Sequence, residues 1–115
     1  MVSYKNPKIW GPSTWIFLHS ISFSYPEKPT KKDKKNYKNF LISLQYVLPC
    51  NKCSEHYEKF IKQNSLDNAL ESQNNLVKYI IKLHNHINQK YKNKSKLTIT
   101  EAKNSFHNFC ISQLI

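Results

Sequence analysis

The sequence has one glycine, no arginine and three cysteines among its 115 residues. A P-loop or a dinucleotide-binding fingerprint needs several glycines, so neither kind of site fits in this chain. Tight β-hairpins also depend on glycine. The scarcity of glycine therefore predicts an all-helical protein, in which side chains would have to hold any nucleotide-containing cofactor.

The absence of arginine bears on the charge of the chain, which is +11 and comes from 18 lysines. A basic chain prompts a nucleic-acid hypothesis. Arginine, however, is the residue that grips phosphate bidentately and reads guanine. The lysines are also scattered among asparagines and form no single stripe. We therefore interpret them as a solvated surface, and a nucleic-acid partner is not expected.

Long apolar runs are absent too. No run reaches the roughly 20 residues that a membrane-spanning helix needs, so no membrane partner is expected. Residues 1–6 contain no apolar core of a secretory signal. The sequence predicts a soluble protein that stays in the cytoplasm.

Helical periodicity organises the chain into a single domain, residues 1–115, in which residues 1–9 are predicted to be loosely ordered. Apolar residues recur at i, i+3 and i+4 in four segments. Residues 63–74 contain a weak helical turn at best. The pattern predicts a four-helix bundle with a short fifth helix, with helices from Trp10–Ser13 to about Ser24, from Lys34 to Val47, from Asn51 to Lys62, from Asn75 to Tyr91 and from Thr98 or Thr100 to Phe109.

Two of the cysteines form a Cys-x-x-Cys pair, Cys50 and Cys53, at the start of the third predicted helix. This spacing is typical of half a zinc site or of a redox centre. Zinc would need further ligands, for which His56 and Cys110 are the candidates. A helix N-terminus lowers the pKa of a thiol and favours redox chemistry. The fourth zinc ligand could also be another histidine. The pair alone leaves both alternatives open: a redox enzyme, or a zinc-stapled basic helical module that binds an acidic partner or nucleic acid.

Polar residues occur where apolar core is expected. His19 lies one turn after Trp15, and His84 and Asn88 are i, i+4 neighbours on one side of the fourth helix. A lone histidine in such a place is more often a hydrogen-bonded core residue than a ligand-binding one. Together the three side chains indicate a planar ligand with polar edges between two helices, such as an aromatic cofactor.

Three segments together carry a family resemblance. The runs Trp15–His19 with Tyr25-Pro26, Pro49–Cys53, and His84–Asn88 stand in the order found in the Erv/ALR family of FAD-dependent sulfhydryl oxidases, which the chain resembles from about Trp10 to Phe106. The combination is specific, whereas a Cys-x-x-Cys pair alone would not be.

The resemblance implies a helical bundle that holds FAD at one end and forms a homodimer. Phe106 falls where the family commonly has a tryptophan beside the adenine, and Lys90 falls near the phosphates. Carried over by position, the cofactor-binding residues would be Gly11, Pro12, Trp15, His19, Tyr25, His84, Asn85, Asn88, Lys90 and Phe106.

The resemblance also implies the chemistry. Cys50 would exchange with a substrate dithiol, Cys53 would face the flavin, and the electrons would pass through FAD to oxygen and give hydrogen peroxide. No metal is expected. The substrates would be protein dithiols, or a separate small thiol-carrier protein, because the chain has no second cysteine pair. Minimal forms of this kind resemble those of large DNA viruses, which would place the protein in a host cytoplasm or a virion.

The chain departs from the family pattern in two places. Where the family has Gly-Lys after the His-Asn segment, this sequence reads Lys92-Asn93, so a second phosphate lysine would have to be Lys92 or Lys94. Many relatives tie the last helix to the bundle with a disulfide, and the corresponding residues here are Lys62 and Ile99. The last helix is therefore expected to be held by packing of Phe106 and Phe109.

Overall fold

A computed structural model describes residues 3–90 and 98–114, and its described residues contain helices and no strands. This confirms the all-α class. In chain order the helices are α1 (Pro7–Ser24), α2 (Lys31–Val47), α3 (Asn51–Gln63), α4 (Leu66–Ala69), α5 (Gln73–Lys90) and α6 (Ile99–Leu114).

Helix α1 begins earlier than the sequence predicts. The Asn6 side chain accepts a hydrogen bond from the Lys8 amide at 3.0 Å and caps the helix, with Pro7 as its first residue. The loosely ordered segment predicted for residues 1–9 is thus wrong from Pro7 onward. Asn followed by Pro is itself a helix-start signal, and the later Pro12 obscured it because that proline lies inside the helix.

Helix α2 also starts before its predicted bound, at Lys31. The Thr30 hydroxyl accepts from the Asp33 amide, and the Asp33 carboxylate accepts from the Thr30 amide, at 3.1 and 2.9 Å. This reciprocal pair is a capping box, which satisfies two backbone donors at the helix end.

The second half of the chain differs most from expectation. The stretch predicted as a weak turn contains α4, a single helical turn whose Leu66 and Ala69 are buried. The last helix is not short, because α6 has 16 residues and extends beyond Phe109 to Leu114. The predicted loop from Lys92, and the predicted end of the fourth helix at Tyr91, lie outside the described residues.

The core forms where α1 packs against α5 and α2 packs against α3. Three tyrosines place their rings in this core and donate their hydroxyls to backbone carbonyls: Tyr25 to Leu70 (2.7 Å), Tyr79 to Asn64 (2.9 Å) and Tyr57 to Leu41. The first two bonds satisfy C-cap carbonyls, at the ends of α4 and α3, while Leu41 lies within α2. The apolar residues around them include Leu18, Leu41, Phe60, Leu76, Ile80 and Leu83.

Charges lie on the surface, and the ion pairs found among the described residues are all solvent-exposed. Lys34 pairs with Glu71, Lys38 with Asp67, and Lys62 with Glu58. Such exposed pairs contribute about 0–1 kcal/mol each to stability, so burial of the core supplies most of the stabilisation. Within the described ranges, none of the helices has the length and apolarity to cross a membrane.

Candidate flavin site

A cavity of about 840 Å³ opens between α1, α2, α3, α5 and α6. Its volume lies in the usual range for ligand pockets, roughly 300–1,000 Å³. Residues from all three sequence segments that carry the family resemblance line its wall. The predicted site residues on this wall are Gly11, Pro12, Trp15, His19, Cys53, His84, Asn88 and Phe106.

Two histidines meet inside the cavity wall. The Nε2 atom of His19, on α1, lies 3.0 Å from the Nδ1 atom of His84, on α5. The Trp15 ring stacks on the His84 ring, with centroids 4.0 Å apart and planes inclined by 12°. The sequence placed these residues on two helix faces, and the packing of α1 against α5 brings them together.

Burial lowers the pKa of His19, and burial together with the neighbouring His19 lowers the pKa of His84 to about 4. Both rings are therefore neutral at neutral pH, so one ring nitrogen donates and the other accepts in the bond between them. In either arrangement, the remaining nitrogens, Nδ1 of His19 and Nε2 of His84, are one donor and one acceptor. The pair thus offers both kinds of polar partner to a ligand edge.

The two cysteines have different environments. Cys50 is the N-cap of α3, and its sulfur accepts a hydrogen bond from the Cys53 amide at 3.3 Å. Cys50 is half-buried and does not line the cavity. Cys53, on the first turn of α3, is buried and lies on the cavity wall. The helix start therefore places Cys53 at the cavity and leaves the more accessible Cys50 outside it.

Gly11 lies on the cavity wall within α1, and a Cβ atom added there would meet nothing within 4 Å. Steric contacts within the protein therefore do not require a glycine at this position. A glycine inside a helix costs about 1 kcal/mol relative to alanine. A ligand that approaches the α1 backbone closely would account for the residue.

Two predicted cofactor contacts lie elsewhere. Tyr25 is buried in the core, with its hydroxyl on Leu70 and its ring against Tyr37, and it does not line the cavity. Tyr25 precedes Pro26 at the end of α1. Its burial and its hydrogen bond explain a tyrosine at this position without any contact to a cofactor. Asn85 faces a separate polar concavity together with Lys82 and Gln89. The side chain of Lys90 lies outside the described part of the chain.

Phe106 reaches the cavity from α6. Its ring stacks on Phe23 of α1, with centroids 4.9 Å apart. Behind it, Ala102 is buried against Val77 and Ile81 of α5. The aromatic ring expected at this position is therefore on the wall, supported by α1.

Sequence reasoning missed several residues of the wall. The wall also includes Leu44 of α2, Leu48 just after that helix and Tyr57 of α3, which fit an ordinary apolar helix face, and Lys8, which was placed in the loosely ordered N-terminus. Among the described lining residues, Lys8 is the only lysine. The Asn6-Pro7 signal was available in the sequence and would have placed Lys8 on a helix.

These residues fit a flavin cofactor. The wall is largely apolar and aromatic, with a stacked Trp15–His84 pair, a donor and an acceptor on the two histidines, and space at Gly11. Such a surface suits a planar ring system with polar edges. Over residues 3–90 and 98–114, no group of three or more His, Cys, Asp or Glu side chains is arranged to hold a metal ion. The zinc alternative therefore receives no support from these residues, while the Cys110 side chain is not described.

Comparison with known proteins points the same way. A model of the Erv1 / Alr family matches residues 12–107. A probable FAD-linked sulfhydryl oxidase of Acanthamoeba polyphaga mimivirus is 42% identical over 98 residues, which are 84% of this chain and 68% of the viral protein. The mitochondrial FAD-linked sulfhydryl oxidase of Saccharomyces cerevisiae is 38% identical over 80 residues, which are 70% of this chain and 41% of the yeast protein.

The fold is similar to that of solved structures. The yeast Erv1 core superposes with a TM-score of 0.77 and is 33% identical, over 86% of this chain and 81% of the core. The FAD-binding domain of Erv1 from Saccharomyces cerevisiae gives a TM-score of 0.75 at 34% identity, over 81% of this chain and 86% of the domain. The likeness thus covers most of the chain and most of those domains, and less than half of the full-length yeast protein.

Proposed function

The chain belongs to the Erv1/Alr family, and from this premise we propose that it is a flavin-dependent sulfhydryl oxidase. It oxidises protein dithiols to disulfides through Cys50 and Cys53 and passes the electrons by way of FAD to oxygen, which gives hydrogen peroxide. The observation that carries this proposal is the placement of Cys53 on the wall of a flavin-sized cavity while Cys50 lies outside it.

The exchange begins from the Cys50–Cys53 disulfide. A substrate thiolate attacks the Cys50 sulfur, a substrate–Cys50 disulfide forms, and Cys53 leaves as a thiolate. The second substrate thiolate then attacks the substrate sulfur of that bond, and Cys50 leaves as a thiolate. The substrate ends as a disulfide and the enzyme as a dithiol, with two electrons transferred. FAD, when bound, supplies the two-electron acceptor that returns the pair to its disulfide.

Helix α3 assists the departure of Cys50. The Cys53 amide donates to the Cys50 sulfur, and the N-terminus of the helix adds partial positive charge. Both interactions are stronger with a thiolate than with a thiol, so they favour release of Cys50 from the mixed disulfide. The exposed Lys52 adds a further positive charge beside the pair.

The cofactor would be held by the residues that share the cavity. Trp15, His84 and Phe106 provide ring surfaces, and Gly11 leaves space beside α1. The histidine pair and Asn88 provide polar partners. We add Lys8 as a candidate phosphate partner, and we retain Pro12 as a lining residue. Tyr25 and Asn85 lie outside this cavity and are not among the proposed contacts.

The test uses oxygen uptake with dithiothreitol as the substrate. Cys50→Ser and Cys53→Ser are expected to abolish it, while the yellow flavin spectrum remains because neither change removes a ring contact. Serine is chosen because it is itself a good helix cap and so preserves the start of α3. Cys110→Ser is the matched control and should keep full activity. Full activity in both pair variants would refute the proposal.

We also propose that the substrates dock directly at Cys50, as protein dithiols or as a small thiol-carrier protein, since three cysteines leave no second pair for an internal relay. The likeness to a mimivirus protein supports a viral setting, in a host cytoplasm or a virion.

A homodimer is proposed as the working form. Its interface would be the exposed uncharged side of α1 and α2, centred on Phe17 and Phe40. These rings contact each other edge-to-face with centroids 6.1 Å apart, yet both remain exposed.

A further inference from the structure

The surface beside Cys50 is apolar. Tyr46 and Val47, at the end of α2, expose 79% and 68% of their surface. Only Leu48 and Pro49 separate them from Cys50 along the chain. We call Tyr46 and Val47 the α2-end patch. Two adjacent apolar side chains this exposed, so close to Cys50 in the chain, form a small patch that a bound partner could cover.

The segment around this patch carries no charge. Residues 39–51 contain no lysine, aspartate or glutamate, although 22% of the chain is charged. A net charge of +11 would attract an acidic partner to the surface in general. Segment 39–51 itself therefore offers an acidic partner no counter-charge and offers an apolar partner two side chains. Charges near the patch come from α3: Lys52 beside Cys50, and Lys62, which lies near Tyr46 and is paired with Glu58.

Disulfide geometry places a substrate bonded to Cys50 close to the patch. A mixed disulfide at Cys50 holds the partner's Cα about 4.4–6.8 Å from the Cys50 Cα. Three residues of chain place the Val47 Cα at most about 11 Å from the same atom. A substrate segment bonded to Cys50 therefore runs beside the α2-end patch, and its neighbouring side chains either bury the patch or leave it in water.

We propose that the α2-end patch is a docking surface for large apolar side chains that flank the reactive cysteine of a substrate. The inference rests on the proposed function only in taking Cys50 as the exchange thiol. Burial of Tyr46 and Val47 against leucine or phenylalanine would stabilise the encounter and so set a substrate preference. Sequences with acidic or small polar flanks gain nothing from this surface.

Tyr46 of the α2-end patch points away from the proposed dimer face. With about 100° per residue along a helix, Tyr46 points roughly 120° away from Phe40 around α2. Val47 lies within about 20° of Phe40 and two turns further along, so it borders both surfaces. Tyr46 is therefore the residue that separates substrate docking from contact with a second copy.

The test isolates the first exchange step in the Cys53→Ser variant, which needs neither flavin nor oxygen. Three peptides of equal length carry one cysteine as a mixed disulfide with thionitrobenzoate, flanked by leucine and phenylalanine, by serine and glutamine, or by aspartate and glutamate. Cys50 attacks the peptide sulfur, and the coloured thionitrobenzoate leaves. We expect the apolar peptide to react about tenfold faster than the polar one at low peptide concentration.

Removal of the patch should remove the preference. In the same background, Tyr46→Ser with Val47→Ser is expected to bring the rate advantage to about twofold, with an unchanged rate for the polar peptide. Tyr46→Ser alone should remove most of it. Tyr4→Ser is the matched control, since it deletes an exposed ring outside the patch, the cavity and the proposed dimer face, and it should leave the preference intact. The rate with the small reagent dithiobis-nitrobenzoate checks that Cys50 itself is unaltered.

Three outcomes would overturn the proposal. The first is that the parent variant reacts equally fast with all three peptides, and the second is that it reacts fastest with the acidic peptide. The third is that the serine variants keep the preference but change the sedimentation coefficient, because a second copy of the chain would then cover the patch. Failure of the oxidase function would register separately, as absent oxygen uptake with dithiothreitol in the unmodified protein.

Discussion

Gly11 shows how a single residue separates stability from function. A Cβ there meets no protein atom, so Gly11→Ala should stabilise the apoprotein by about 0.5–1 kcal/mol through helix propensity. The methyl group would occupy space where we place the cofactor, and we expect FAD to bind about tenfold more weakly. Denaturant unfolding of the apoprotein and flavin titration measure the two effects.

Ser13→Ala provides the control for Gly11. Ser13 is exposed on the same helix and is absent from the cavity wall. It should gain helix stability without loss of FAD affinity. An unchanged affinity in Gly11→Ala would mean that the cofactor does not approach α1 at this point.

The histidine pair predicts a pH dependence of apoprotein stability. The folded-state pKa of His84 lies at about 4, below the unfolded value of 6.5. The free energy of unfolding is therefore at its full value above about pH 6.5. It decreases as the pH falls toward 4, because the unfolded chain binds the proton more readily than the folded protein does. Discounted for partial exposure, we expect a loss of about 1 kcal/mol between pH 7 and pH 5.

Denaturant unfolding at the two pH values measures this loss. His84→Asn should reduce the difference, since an amide does not titrate in this range. The exposed His107 is the matched control, and His107→Asn should leave the pH dependence as it is. An equal pH dependence in the two variants would contradict the role given to the buried pair.

At the scale of elements, few described contacts hold α6, and the side chain of Phe109, expected to help, lies outside the described part of the chain. Helix α6 packs through Phe106 on Phe23 and through Ala102 on Val77 and Ile81. Lys62, the position where the family resemblance implies a disulfide cysteine in many relatives, is exposed and donates to Glu58 at 2.8 Å. No disulfide at that position ties α6 to α3, so packing has to hold it.

Phe106→Ala should therefore loosen α6 selectively. Loss of the ring stack is expected to raise hydrogen exchange of α6 amides about tenfold, while α1 and α5 keep their protection, because local opening of the last helix does not require global unfolding. Asn104→Ala, an exposed change on the same helix, should leave exchange unaltered. Equal acceleration throughout α5 would show that α6 unfolds only together with the bundle.

Periodicity predicted the long helices and failed where tertiary contacts decide. The ends of α2 and α3 at Val47 and Gln63 lie within one residue of prediction, since Pro49 and the polar stretch mark them locally. The single turn of α4 has no periodic signal. It forms because Leu66, Ala69 and Leu70 are buried against other helices, with the Tyr25 hydroxyl on the Leu70 carbonyl.

The site was predictable to the extent that it consists of segments with their own signature. Cys53, His84 and Asn88 reach the cavity as the resemblance implies. Tyr25 and Asn85 do not, because a motif fixes which residue follows which, whereas the direction of each side chain depends on the packing of neighbouring helices. Conversely, Leu44 and Leu48 fit the apolar periodicity of a helix, and periodicity does not show whether an apolar side chain lines a cavity or fills the core.

At the scale of the whole molecule, charge constrains how two copies can meet. Each chain carries +11, so association through most of the surface would be opposed by repulsion. Helix α1 contains a single charged residue, Lys8, in 18 residues. Its exposed side, with Ile9 and Phe17, continues onto Phe40 of α2. On this part of the described surface, two chains can bury apolar area without bringing lysines together.

Phe17→Lys tests this interface. A ring that is 55% exposed in one chain would lie at the centre of the contact, and a lysine there would add two positive charges across it. We expect the dimer to dissociate at least about a hundredfold more readily, because loss of a central aromatic anchor and burial of a charge both disfavour association. Tyr46→Lys adds the same charge at the α2-end patch and should leave the dimer intact. If sedimentation velocity finds equal dissociation in both variants, net charge governs assembly and the α1–α2 face does not.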